Sequence, residues 1–106
     1  MERENAVIAL INVFTVQPLN QQRLVDLLVR ATDEFVSRAP GFLSSSLHRS
    51  FDGTKVTMYA QWRSIEDYEV MRRDPGPRPF LEEALTIAKF DPGIYEIVRT
   101  FSPAHG

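Results

Sequence analysis

The sequence contains no cysteine. That absence excludes disulfides, thiolate metal sites, iron–sulfur clusters and cysteine nucleophiles together. Histidine is scarce, with only His48 and His105. A zinc site built from protein ligands would then need several clustered carboxylates, and the chain shows no such cluster. There is no excess of positive charge either: 12 Lys and Arg stand against 14 Asp and Glu, for a net charge of -2. Nothing in that balance tracks a phosphate backbone or an acidic membrane. No apolar run approaches the length of a membrane span. The opening "MERENAVIAL" is charged where a signal peptide would be apolar. The expectation is a cytoplasmic protein with neither nucleic acid nor membrane as partner.

What is present suits one globular domain. With 106 residues the chain can bury a single core, and 43% hydrophobic with 25% charged residues is ordinary for that class. An ordered core is expected over about residues 6–101, with "SPAHG" as a loose tail. No repeat or low-complexity linker divides it.

Val7 to Val16 is almost wholly apolar and β-branched, as in a strand buried on both faces, and Asn12 is its one polar interruption. Pro18 breaks that strand and Asn20 is a candidate N-cap. Leu24, Leu27, Leu28, Ala31 and Phe35 then recur at helical spacing until "APG". A second strand is expected over about 42–50 and a third over about 55–62, joined at Asp52-Gly53. Ser64 with Asp67 starts a second helix, with Ile65, Tyr68, Met71 and Arg72 on one face. "DPGPRP" cannot continue it. A short helix over about 80–89, a turn at "FDPG" and a last strand over 94–101 complete the chain. The order is β-α-β-β-α-β, a ferredoxin-like α+β fold with one antiparallel sheet and its helices on one face.

A two-residue turn at Asp52-Gly53 pairs Phe51 with Thr54. It sets Leu47 opposite Met58, Ser45 opposite Ala60 and Leu43 opposite Trp62 on one face. His48, Ser46 and Ser44 then meet Thr57, Tyr59 and Gln61 on the other. This register segregates apolar from polar residues, whereas a one-residue slip would mix them. The outer face stays polar in the hairpin but apolar in the first strand, so a two-fold homodimer packed sheet on sheet is expected.

Several segments resemble the antibiotic biosynthesis monooxygenase family. They are "INVFTV" from Ile11, "PGFLSSSLHRSFDGTKV" from Pro40, "YAQWRS" from Tyr59 and "FDPGIYEIV" from Phe90. The resemblance implies a dimeric α+β barrel whose protomers each hold a pocket between sheet and helices. It further implies oxidation of an anthrone-, naphthol- or quinol-like aromatic polyketide to a quinone, with O2 and no metal, haem or flavin. Asn12, Trp62 and Tyr68 match catalytic positions of that group. Two positions depart from its pattern: Met58 stands where Asn is common and Phe80 where His is common. Both make the pocket more apolar. The haem-degrading branch needs a histidine after the third strand, and none lies between Arg49 and Ala104.

Chemistry without a cofactor asks three things of the protein: to hold a flat substrate, stabilise its anion and admit O2 to a dry cavity. Asn12 can donate its amide to an oxyanion, or simply bond backbone at an irregularity in the strand. Trp62 can donate its indole N–H or stack on the substrate, or serve only as core. Tyr68 can donate a hydrogen bond or accept a proton, or merely cover the core. Arg72 can stabilise an enolate, or be a solvated helix residue. Met58, Met71, Phe80 and Leu81 read as apolar pocket walls. His48 points away from the helix side, and His105 carries no expected role. The alternative to an oxygenase is a non-oxidative polyketide cyclase or isomerase, or a small-ligand-binding protein of the same fold.

Overall fold

The computed structural model describes residues 6–104. Strand β1 (Ile8–Val16) occupies the middle of the sheet, as its unbroken apolar pattern requires. It pairs antiparallel with β3 (Lys55–Trp62) on one side, and β3 pairs with β2 (Phe42–Arg49). On its other side β1 pairs first with β4 (Ala88–Asp91) and then with β5 (Ile94–Glu96). Helices α1 (Gln21–Glu34), α2 (Ile65–Arg72) and α3 (Arg78–Ile87) complete the element order of a ferredoxin-like α+β fold. Two apolar clusters join the helices to one face of the sheet. One holds Phe14, Leu24, Leu28, Val56 and Ala84, and the other Ile8, Leu10, Ala60, Trp62 and Tyr68.

Local chemistry explains most element ends. Ser64 caps α2: its Oγ accepts from the Asp67 N–H at 3.2 Å and donates to Asp67 Oδ2 at 3.1 Å. Asp67 also takes Arg63 Nη2 at 2.8 Å. The helix is thereby pinned two residues after Trp62 closes β3. Pro77 and Pro79 sit at the start of α3, where a missing N–H does no harm. The expected cap at Asn20 makes no side-chain bond; α1 is entered instead through a 3-10 turn at Pro18–Asn20. Gln21 takes over the anchoring, with Nε2 donating to the carbonyls of Ser50 and Lys55 at 3.1 Å each. At the far end α1 stops at Glu34, and residues Val36–Arg38 tighten into a 3-10 turn.

The hairpin follows the expected register from Ser44–Gln61 through His48–Thr57. It departs at both ends. A bulge between Phe42 and Ser44 pairs Phe42, not Leu43, with Trp62, and Leu43 turns outward. The connecting loop spans four residues, since the Ser50 N–H bonds the Lys55 carbonyl at 3.0 Å and Phe51 is fully exposed. Asp52 organises that loop. Hydrogen bonds from the Ser50 and Thr54 side chains hold its carboxyl down at about 2.

The end of the chain also differs from expectation. Residues 88–91 form a strand rather than the end of a helix and a turn, because Phe90 pairs with Phe14 and stacks on it at 4.7 Å. Pro92 and Gly93 interrupt the edge before pairing resumes at Ile94. The last strand stops at Glu96, and residues 97–104 have no regular structure, with Val98 and Phe101 exposed.

Candidate active site

A cavity of about 740 Å³ lies between the sheet and the helices. Its floor comes from alternate residues of the central strands. Leu10, Asn12 and Phe14 of β1 project on the same face as Met58, Ala60 and Trp62 of β3, because side chains in a strand alternate between faces. Tyr68 and Met71 of α2 form one wall, and Leu81 and Leu85 of α3 another.

Asn12 and Met58 are direct cross-strand partners. Asn12 also lies opposite the break at Pro92-Gly93, between the part of β1 that pairs with β5 and the part that pairs with β4. Its side-chain amide has no hydrogen-bond partner among the described residues. The expected alternative, an Asn bonded to backbone, is therefore not what the side chain does here.

Trp62 is fully buried. Phe42 packs edge-on to it at 5.5 Å and Tyr68 at 5.8 Å, so its ring is held from two sides. Burial of this ring contributes about 4 kcal/mol. The residue also lines the cavity. Core packing and a place in the cavity lining coexist in one side chain.

The Tyr68 hydroxyl is likewise without a partner among the described residues. Burial pushes Tyr68 above the ordinary tyrosine value of 10.0, partly offset by the positive charge of Arg72. The phenol therefore stays protonated near neutral pH, with its hydroxyl able to donate. The Arg72 guanidinium stands 5.9 Å from the centre of the Tyr68 ring.

Seven of the eight residues expected at the site line the cavity: Asn12, Trp62, Tyr68, Met58, Met71, Arg72 and Leu81. Phe80 does not. Its ring packs against Phe35 at 6.1 Å, with the Arg30 guanidinium 4.9 Å above it. The reason is helix phase. Arg78, Leu81 and Leu85 share the face towards the cavity, while Phe80 and Ala84 share the face towards α1. Arg78 and Ser45 were not among the expected residues. Ser45 donates its hydroxyl to Met58 Sδ at 2.7 Å, which gives the floor a small polar contact. The i, i+3 spacing of Arg78 and Leu81 was the available signal for the first. His48 lies on the opposite face, hydrogen-bonded to Ser46 at 2.9 Å. His105 lies outside the described residues. Among those residues no group of three or more His, Asp or Glu is placed to hold a metal, and no helix is long and apolar enough to cross a membrane.

The model of the antibiotic biosynthesis monooxygenase family matches residues 7–80, which span β1 through the start of α3 and include Asn12, Met58, Trp62 and Tyr68. The chain belongs to the antibiotic biosynthesis monooxygenase family. Among the family's relatives, the tetracenomycin-F1 monooxygenase of Streptomyces glaucescens is 38% identical over 92 residues, 87% of this chain and 82% of that protein. The ActVA-Orf6 monooxygenase of Streptomyces coelicolor, solved with the ligand nanaomycin D, superposes with a TM-score of 0.82 at 28% identity. That match covers 94% of this chain and 95% of the other. SnoaB of Streptomyces nogalater, a cofactor-independent oxygenase, shares the fold with a TM-score of 0.81 at 21% identity, over 92% of this chain and 98% of its own. This family member therefore shares the fold of those monooxygenases and holds a cavity lined by Asn12, Trp62 and Tyr68.

Proposed function

We propose that the protein is a cofactor-independent monooxygenase that oxidises an aromatic polyketide-like substrate, an anthrone, naphthol or quinol, to a quinone with O2. The observation that carries this reading is the convergence of three side chains able to donate, Asn12, Trp62 and Tyr68, on one largely apolar cavity. Its kinship with a tetracenomycin-F1 monooxygenase supports the same class.

Triplet oxygen reacts slowly with closed-shell molecules, so the substrate must supply the electrons. A deprotonated anthrone does so by passing one electron to O2. Recombination gives a peroxide at the former CH2 carbon, and loss of water leaves the quinone carbonyl. The substrate plus one O2 thus becomes quinone plus one water. Donors from the Asn12 amide and the Trp62 indole favour the oxyanion over the neutral ketone, which raises the fraction ready to react. Tyr68, held neutral, adds a third donor. The apolar walls exclude water and favour dissolved oxygen.

The protein is further proposed to work as a two-fold homodimer. The outer face of β1 presents Ile11 and Val13, and the following segment leaves Val98 and Phe101 exposed, apolar surface that a second copy would cover.

Oxygen uptake by metal-stripped protein tests the reading, using a small panel of anthrones, dihydroxynaphthalenes and quinols against a no-protein control. Protein-dependent uptake matched by quinone absorbance is the expected result. A spectral change without oxygen uptake would instead favour the cyclase or isomerase, and binding without turnover a ligand carrier.

A further inference from the structure

Two thioethers line the cavity, Met58 from β3 and Met71 from α2, and both are partly exposed. Their surroundings differ. Met58 is the direct cross-strand partner of Asn12, and opposed side chains on one face of a sheet stand about 5 Å apart at their Cβ atoms. On its other flank lies β2, from which the Ser45 hydroxyl donates to Met58 Sδ at 2.7 Å. A thioether is a weak acceptor, so that bond leaves a half-buried hydroxyl with little return. Met71 stands on the helical wall instead, and it also lines a separate groove with Phe35, Pro40 and Val70.

The reaction proposed above passes through a peroxide on a substrate carbon, and a hydroperoxide oxidises a thioether by direct oxygen transfer. We propose that Met58 is an oxidative modification site, converted to its sulfoxide by a hydroperoxide bound in the cavity. This rests on the cavity being the place of oxygen chemistry. A lone pair of Sδ attacks the outer peroxide oxygen, the O–O bond breaks as the S–O bond forms, and sulfur is oxidised by two electrons. The proton of that oxygen passes to the inner one, so the hydroperoxide leaves as an alcohol instead of as quinone and water. Three side-chain torsions give Met58 the freedom to present its sulfur. The sulfoxide oxygen is a strong acceptor. It takes the Ser45 hydroxyl and, across the strand pair, the Asn12 amide, which removes that donor from the substrate. Oxygen transfer to Met58 therefore switches the site off, and reduction of the sulfoxide restores it.

Cumene hydroperoxide, a small aromatic hydroperoxide, is the probe, and hydrogen peroxide, which has no apolar group for the cavity to hold, is the comparison. Trypsin cuts after Lys55, Arg63 and Arg72, so Met58 and Met71 fall in separate peptides, 56–63 and 64–72. Tandem mass spectrometry reads the added oxygen in each and separates Met58 from Trp62. With cumene hydroperoxide Met58 is expected to oxidise about tenfold faster than Met71, a preference that hydrogen peroxide should not show. Filling the cavity with 2-hydroxymethylanthraquinone should abolish the preference, with occupancy read from quenching of Trp62, the only tryptophan. Oxidation should also weaken that quenching in the unaltered protein but not in M58L, each compared with its own untreated sample. Equal oxidation of Met58 and Met71 by cumene hydroperoxide would overturn the inference while leaving the cavity reading intact. A preference that persists with the cavity filled would overturn it too. If the anthraquinone does not quench Trp62, the cavity reading fails and the modification site with it.

Discussion

The indole of Trp62 and the phenol of Tyr68 meet edge to face, with centroids 5.8 Å apart and planes at 61°. One ring ends β3 and the other sits on the first turns of α2, so the contact spans the strand-to-helix seam. The Ser64 cap fixes that geometry by starting the helix at Ile65, three residues after Trp62. Packing and pocket are thus not competing explanations for the tryptophan. Its ring belongs to the core and also lines the cavity.

The donors can be removed singly. Asn12→Ala is expected to lower kcat/KM about 100-fold in the oxygen-uptake assay, by analogy with other oxyanion donors. Trp62→Phe keeps an aromatic ring against Phe42 and Tyr68 but removes the N–H, with a loss of about tenfold. Circular dichroism establishes that each variant folds. Full activity in both folded variants would return Trp62 and Asn12 to a purely structural role.

Tyr68 gives a pH-dependent expectation. Burial raises it above 10.0, so the phenol is protonated in folded and unfolded chains alike at lower pH and adds no pH dependence there. Above pH 10 the unfolded chain loses this proton first, and stability falls as pH rises until Tyr68 itself ionises. Tyr68→Phe should therefore show a shallower alkaline loss of stability in denaturant titrations. As a neutral donor, Tyr68 should contribute no inflection to the rate profile between about pH 6 and 9. An inflection there that vanishes in Tyr68→Phe would identify it as a base instead.

Gly41 adopts φ 89°, and an added Cβ would collide with the Asp67 side chain. Its carbonyl also accepts from the Arg63 N–H at 2.7 Å. Gly41→Ala should destabilise the fold by about 2 kcal/mol, read from chemical denaturation. The same strain would disturb the Asp67 cap and the bulge that turns Phe42 onto Trp62. Ligand quenching of Trp62 should weaken as well. An unchanged denaturation midpoint would show that the cap has room to move.

The homodimer makes a simple claim on hydrodynamics. Sedimentation velocity at micromolar concentration should give twice the mass of the chain. A species at the mass of one chain under those conditions would overturn the proposal and require another cover for Val98 and Phe101.

The parts of this protein legible in its sequence are those with local causes. The apolar run of β1 announces a central strand, the Ser64–Asp67 spacing announces a cap, and polar–apolar segregation sets the middle of the hairpin register. The family resemblance named Asn12, Trp62 and Tyr68, and strand alternation was enough to separate His48 from them. Other features depended on what lies far away in the chain. The bulge at Leu43 exists because Phe42 has an aromatic neighbour to reach, and residues 88–91 become a strand because Phe14 offers a ring to stack on. Phe80 packs on Phe35 while its neighbour Leu81, about 100° round the helix, lines the cavity. Periodicity within α3 separates the two faces but does not say which of them meets the cavity. That choice follows from how three helices share one side of a sheet, where a side chain on one face of a helix cannot also serve the other.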